Sequence, residues 1–178
     1  DTAEPGEYPG LPDIPLKTEG SIDGDELVTS LLEVVPYAAK QESRPVLTGV
    51  ALTLGETIEA AAADGYRLAY KSLKGSFPAE ETVIIPSSAV RILADIWKQR
   101  PAPPVPGRSI VTSLIGKRNI NLGIGQGKLV IRYGQVAFRC NLIEGDFPNY
   151  RQLIPTDNRL LVTAYGPELE TAVRRMQA

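Results

Sequence analysis

Histidine is absent from all 178 residues, which removes the commonest general base and the commonest metal ligand together. Ser-His-Asp triads and most zinc sites go with it. A single cysteine, Cys140, excludes an internal disulfide. Its place between Phe138 and Leu142 in an alternating run gives it the part of a small buried or half-buried hydrophobe, in a reduced, cytosolic setting. No run of about 18 apolar residues exists, so no membrane span is expected. No signal-like segment opens the chain, which starts at Asp1 rather than Met and is read as a piece of a longer protein. No cofactor and no metal are expected. Basic excess is missing too: the formal net charge is −2, whereas a free-standing nucleic-acid binder is usually basic. Any contact with DNA would need a local basic lining, because phosphate contacts act locally under screening. What remains, 43% hydrophobic and 22% charged residues, suits a soluble globular protein of one domain or one and a half.

Residues 1–13 are rich in Pro, Gly and acid and read as linker. Ile14 to Ile22 reads as a strand. Asp23 with Glu26 three residues on gives a capping-box-like helix start; Leu27, Val28, Leu31, Leu32 and Val35 follow at helical spacing, and Pro36 ends the helix. Its opposite face carries Glu26, Thr29, Ser30 and Glu33, and over residues 23–40 four acids stand against Lys40 alone. A second helix runs from Pro86-Ser87-Ser88 to about Lys98. Val90, Leu93, Ala94 and Trp97 form its buried stripe, with Ser88, Arg91, Asp95 and Lys98 opposite, a pattern equally suited to a solvated face.

The stretch Arg44 to Leu73 organises the first half. Val46 to Leu54 alternates as a half-buried strand, Gly55-Glu56 is a short hairpin turn, and Thr57 to Ala63 returns. Asp64-Gly65 breaks the run, and Tyr66 to Leu73 leaves as a third strand. Gly65 supplies backbone freedom at the bend and Asp64 can hydrogen-bond its own turn. From these residues alone the corner Ala63 to Leu68 is a plain β-turn. Thr82 to Ile85 forms a further short strand before the second helix. Residues 101–109 are Pro-rich, a rigid loop in preference to a PxxP partner motif, and Ile110 to Ile115 forms an extra strand. Gly123 to Gly127 tempts one towards a phosphate loop, but it lies between strand-like runs with no helix after it, so a hairpin turn is the better reading. Gly134-Gln135 is the next turn, and Val136 to Leu142 closes the unit. A polar-aromatic loop spans 143–155. Leu160 to Ala164 reads as a strand and Gly166-Pro167 opens a helix with Leu169, Ala172, Val173 and Met176 on one stripe. The order of elements is βαβββ twice, an α+β arrangement in which both helices pack on one side of antiparallel sheets.

Four segments carry a resemblance. Arg44–Val50 (RPVLTGV), Ala62–Ala69 (AADGYRLA), Val83–Pro86 (VIIP) and Leu142–Pro155 (LIEGDFPNYRQLIP) occur in this order. The chain thereby resembles the second domain of the bacterial sliding clamp, the β subunit of DNA polymerase III, over roughly Ile14 to Pro155. The resemblance implies the DNA-clamp fold, with 1–13 a linker from a first domain, 14–155 the central domain with an insertion at 101–118, and 156–178 the start of a third domain. It implies no reaction. Two chains of three such domains would close a ring around duplex DNA in the bacterial cytoplasm. That ring would tether the polymerase III catalytic subunit, the clamp loader and repair proteins, and its closure would raise their effective concentration. Carried over by position, the family's peptide cleft would be Leu47, Ala63, Gly65, Tyr66, Arg67, Leu68, Pro148, Gln152 and Leu153, receiving an extended peptide with a Gln followed by Leu and Phe-like residues. Leu68 and Leu153 are expected to meet there. Ala63 stands where Thr is common and Gln152 where Arg is common. For DNA, Lys40, Gln41 and Arg44 fit the family's loop, while Arg91, Lys98 and Arg100 can supply charge. Ser87 and Ser88 stand where basic residues are common, and the first helix exposes acids, so the DNA contact implied for this chain is weak.

A second reading is a clamp-like module that docks proteins or assembles with its own copies and does not hold DNA, which the acidic first helix and net charge favour. A hydrolase or transferase is disfavoured by the absence of histidine and of any nucleophile motif.

Overall fold

The computed structural model describes residues 14–41, 43–99, 119–155, 157, 160 and 162–176. The linker 1–13, Arg100 and the whole of 101–118, with its expected extra strand, lie outside them. The structure falls into two compact units, one ending at Phe147 and one beginning at Pro148, whereas the sequence reading divides the chain at 155/156.

The first unit is built as β1 (Thr18–Asp23), α1 (Gly24–Val34), β2 (Gly49–Leu54), β3 (Ile58–Ala63), β4 (Leu68–Leu73), then β5 (Glu81–Pro86), α2 (Ser87–Gln99), β6 (Asn119–Gly125), β7 (Lys128–Tyr133) and β8 (Val136–Asn141). The βαβββ repeat is therefore present. The strands are exchanged between its halves: one sheet runs β1-β6-β7-β8 and the other β4-β3-β2-β5, all antiparallel. Each half gives its first strand to the other half's sheet. A bridge between Ile84 and Ile143, with Ile143 N–H donating to Ile84 O at 2.9 Å, joins the two sheets.

Alternation sets the buried faces. Val50, Leu52 and Leu54, Val83 and Ile85, Ile120, Leu122 and Ile124, and Leu129 and Ile131 point inwards with period two. Leu27, Val28, Leu31 and Val34 of α1 and Val90, Leu93, Ala94 and Trp97 of α2 meet them at helical spacing, giving one continuous apolar core. The two helices touch each other, α1 lying on β3 and β4 and α2 on β5 and β2. Gly24 is required where they cross: a Cβ there would lie 2.4 Å from Cη2 of Trp97 and 2.8 Å from Cγ2 of Ile120. The Trp97 indole N–H donates to Asp25 Oδ1 at 2.9 Å, and its ring packs edge-on against Tyr133 at 5.2 Å. Cys140 is half-buried, and that burial pushes its thiol up to about 11, consistent with a packing role.

Several local expectations shift. Asp23 caps α1, accepting from Asp25 N–H and Glu26 N–H, but Glu26 does not return the bond; its Oε1 accepts from Lys74 N–H at 2.7 Å. Val46 is not in a strand. Pro45–Leu47 forms a 3-10 turn, because proline fixes φ near −65° and lacks an N–H, and Thr48 closes the turn with both its N–H and its hydroxyl on Pro45 O. The β2–β3 connection is Gly55–Thr57, three residues rather than two, which sets Thr53 opposite Glu59. Tyr66 and Arg67 belong to the corner, and β4 starts only at Leu68. The Gly-rich segment is a hairpin as expected: Gln126 and Gly127 take φ of +49° and +68° between paired Gly125 and Lys128, the type I′ pattern.

The second unit holds a 3-10 turn at Tyr150–Leu153 and α3 (Gly166–Met176). No strand forms at 160 and 162–164; no described strand pairs with them, and an extended segment without a ladder is not a strand. The apolar stripe of α3 is exposed at Leu169, Val173 and Met176. Among the described residues no helix is long and apolar enough to cross a membrane.

Candidate functional site

The corner after β3 is held by one carboxylate. Asp64 Oδ1 accepts from Tyr66 N–H (3.0 Å) and Arg67 N–H (2.8 Å), and Oδ2 accepts from Arg67 Nε (2.9 Å) and Nη2 (2.7 Å). Asp64 N–H donates in turn to Arg67 O. The Arg67 side chain, then the backbone N–H groups of Arg67 and Tyr66, hold the Asp64 carboxyl down at about 2. Gly65 makes the bend at φ +91°, where residues with a Cβ are strained. The guanidinium of Arg67 lies over the Tyr37 ring, 5.6 Å from its centroid. Tyr66 projects almost fully into solvent.

Facing this corner is the segment that follows α1. The chain leaves the helix through a 3-10 turn at Val35–Tyr37, and Ala39 N–H then donates to Leu47 O at 2.8 Å. The bond ties residues 38–41 to the Pro45–Leu47 turn. Between the two walls lies a groove of about 620 Å³, lined by Ala38, Lys40, Gln41, Arg44 and Leu47 on one side and Asp64 to Arg67 on the other. Leu47 is its buried apolar element. Among the described residues Lys40 and Arg44 have no acidic partner, while the charge of Arg67 is met by Asp64 at 2.7 Å.

The expected site residues separate as follows. Leu47, Gly65, Tyr66 and Arg67, assigned to a peptide cleft, share the groove with Lys40, Gln41 and Arg44, assigned to DNA. Ala63 and Leu68 are half-buried partners at the paired ends of β3 and β4 and do not line it. Arg91 and Lys98 lie on the exposed face of α2, outside the groove, and Lys98 sits 3.7 Å from Asp95. Arg100 is outside the described residues. Pro148, Gln152 and Leu153 are exposed residues of the second unit, the last two in its 3-10 turn. The sequence reading left out Tyr37 and Ala38; Pro36 marked the helix end but gave no sign that the next residues would form a wall.

The family model described as DNA polymerase III beta subunit, central domain, matches residues 21–101. Over those residues the chain is a beta subunit central domain. The beta sliding clamp of Streptomyces coelicolor is 28% identical over 172 residues, which cover 96% of this chain and 43% of the relative. The beta sliding clamp homolog GriR of Streptomyces muensis is 30% identical over 156 residues, 85% of this chain and 37% of the relative. Among solved structures, the sliding clamp (DNA polymerase III subunit beta) of Pseudomonas aeruginosa bound to griselimycin superposes with a TM-score of 0.78 at 24% identity, over 96% of this chain and 42% of that one. The Thermotoga maritima beta subunit gives 0.69 at 18% over 84% and 37%. Both structures show the shared clamp fold. The chain thus spans less than half the length of each of these relatives.

Proposed function

We propose that this chain is part of a replication processivity clamp. It encircles duplex DNA with further clamp domains, self-associates into the ring, and tethers DNA polymerase III and repair proteins in the bacterial cytoplasm. The role is non-catalytic. The observation that carries the reading is the groove between Leu47 and the Asp64–Arg67 corner, open and mixed in character, as an extended peptide requires. Leu47 offers an apolar anchor site, and Tyr66 and Arg67 offer an edge that meets peptide polar groups.

The test is a titration of a labelled peptide carrying Gln, Leu and Phe, and of griselimycin, into the chain. Micromolar binding of the peptide, about −8 kcal/mol, is expected, with a loss of roughly tenfold for Tyr66→Ala and Arg67→Ala, both at exposed positions that leave the core intact. Equal binding by wild type and both variants would rule out this groove.

The second reading, a module that docks proteins without holding DNA, gains from one observation. The exposed face of α2 offers Arg91 and Lys98, with Asp95 beside the latter. Duplex DNA should therefore bind this chain weakly, lose affinity steeply with salt, and weaken alike for all sequences on Arg91→Ala. Retention of peptide with no DNA retention at low salt would select the second reading.

A further inference from the structure

We infer that the groove selects acidic peptides, with Lys40 and Arg44 receiving carboxylates that flank the peptide's apolar anchor. This rests on the peptide-binding reading and names the chemistry of the partner.

The charges around the groove are unequally spent. Arg67 is closed on Asp64 through two side-chain hydrogen bonds, and Asp64 accepts two more from the backbone. The pair leaves the far wall close to neutral and fixes Arg67 as a flat surface over Tyr37. On the near wall Lys40 and Arg44 are exposed, line the groove, and have no acidic partner among the described residues. Glu42 lies between them in the sequence, and with it counted the segment 40–44 keeps a positive charge. Leu47 follows three residues after Arg44 and is buried at the same wall. A partner that buries an apolar side chain on Leu47 therefore brings its neighbouring residues under two cations. Carboxylates there complete ion pairs, and neutral residues leave the cations unanswered.

Nucleic acid is the competing occupant, since phosphate also seeks cations. A duplex needs a track of them. Arg91 and Lys98 do not line this groove, and its other wall is close to neutral, with Asp64 closed on Arg67, so no continuous track of cations is present. The observed mixture fits a peptide better.

Two peptides with the same Gln-Leu-Phe anchor, one flanked by two Asp and the other by two Asn, are titrated into the full chain by fluorescence anisotropy. Each exposed ion pair is worth roughly 1.4- to fivefold, so with two pairs the Asp peptide should bind about two- to 25-fold tighter, and the ratio should shrink with added salt. In K40Q/R44Q the ratio should collapse towards one. Trp97 fluorescence confirms that the variant is folded. A ratio near one in wild type, with both peptides bound, overturns the selectivity and leaves the peptide reading standing. Binding of neither peptide overturns both. A single-stranded oligonucleotide that is weakened by K40Q/R44Q, with the peptide ratio unchanged, assigns the cations to nucleic acid and refutes the inference.

Discussion

Replacing Gly65 by alanine isolates a backbone effect from a packing effect. Gly65 sits at φ +91°, and a Cβ built there meets nothing within 4 Å. No clash contributes, so the cost is strain alone. A non-glycine residue held at positive φ costs roughly 1–3 kcal/mol, and alanine recovers about 0.4–1 kcal/mol by restricting the unfolded chain. The net loss should be about 1–2 kcal/mol. With a urea slope of about 2 kcal/mol/M, the unfolding midpoint should fall by roughly 0.5–1 M. The chain's single tryptophan, Trp97, is buried in the first unit, so its fluorescence reports that unit without contribution from the second and keeps a two-state analysis meaningful. Gly65→Asn should cost less, because asparagine tolerates left-handed backbone. An unchanged or raised midpoint for Gly65→Ala would refute the argument. A loss much above 3 kcal/mol would refute it differently, by showing a contact at a place the structure leaves open.

The Asp64 carboxyl supplies a pH test. Its proton is held more weakly in the folded chain than in the unfolded one. Its contribution is therefore complete above the ordinary value of 3.8 and is lost as pH falls through about 2. Carbon-detected NMR should place the titration midpoint near 2, and Arg67→Ala should move it up towards 3.8; a midpoint that stays near 2 would show that Arg67 is not the main cause. Gly24→Ala should destabilise by about 1–2 kcal/mol even though alanine is favoured over glycine within helices by up to about 1 kcal/mol, because overpacking against Trp97 costs more. Trp97→Phe in the same chain should relieve part of that loss, a non-additivity readable by circular dichroism during urea unfolding.

Much of the architecture was legible in local pattern. Helical spacing placed α1 and α2, and alternation placed the inward faces of the strands, because both periods follow from backbone geometry. The exchange of β1 and β5 was not legible: alternation says which face of a strand is buried and is silent about its neighbour. Glu26 escaped the capping box for a similar reason, since its actual partner, Lys74 N–H, is distant in sequence. The 3-10 turn at Pro45–Leu47 had a signal, proline followed three residues on by a hydroxyl, that the apolar alternation of the following residues concealed. The groove was half legible. The resemblance supplied Leu47 and the Gly65–Arg67 corner, but it assigned Lys40, Gln41 and Arg44 to a different partner, and only tertiary folding shows the two sets as walls of one space.

Strand register explains why those walls meet. Ala51 pairs with Ala61 and Thr53 with Glu59; β2 begins at Gly49, two residues after Leu47, and β3 ends at Ala63, next to Asp64. The 3-10 turn before β2 and the corner after β3 therefore fall at the same end of adjacent antiparallel strands. A two-residue β2–β3 turn would have moved this register by one residue and offered the opposite faces; the three-residue Gly55–Thr57 connection avoids that. β2 is in turn held on its other side by β5, which the second half of the repeat contributes. The Leu47 wall is thus anchored to an interior strand and the Arg67 wall to its neighbour.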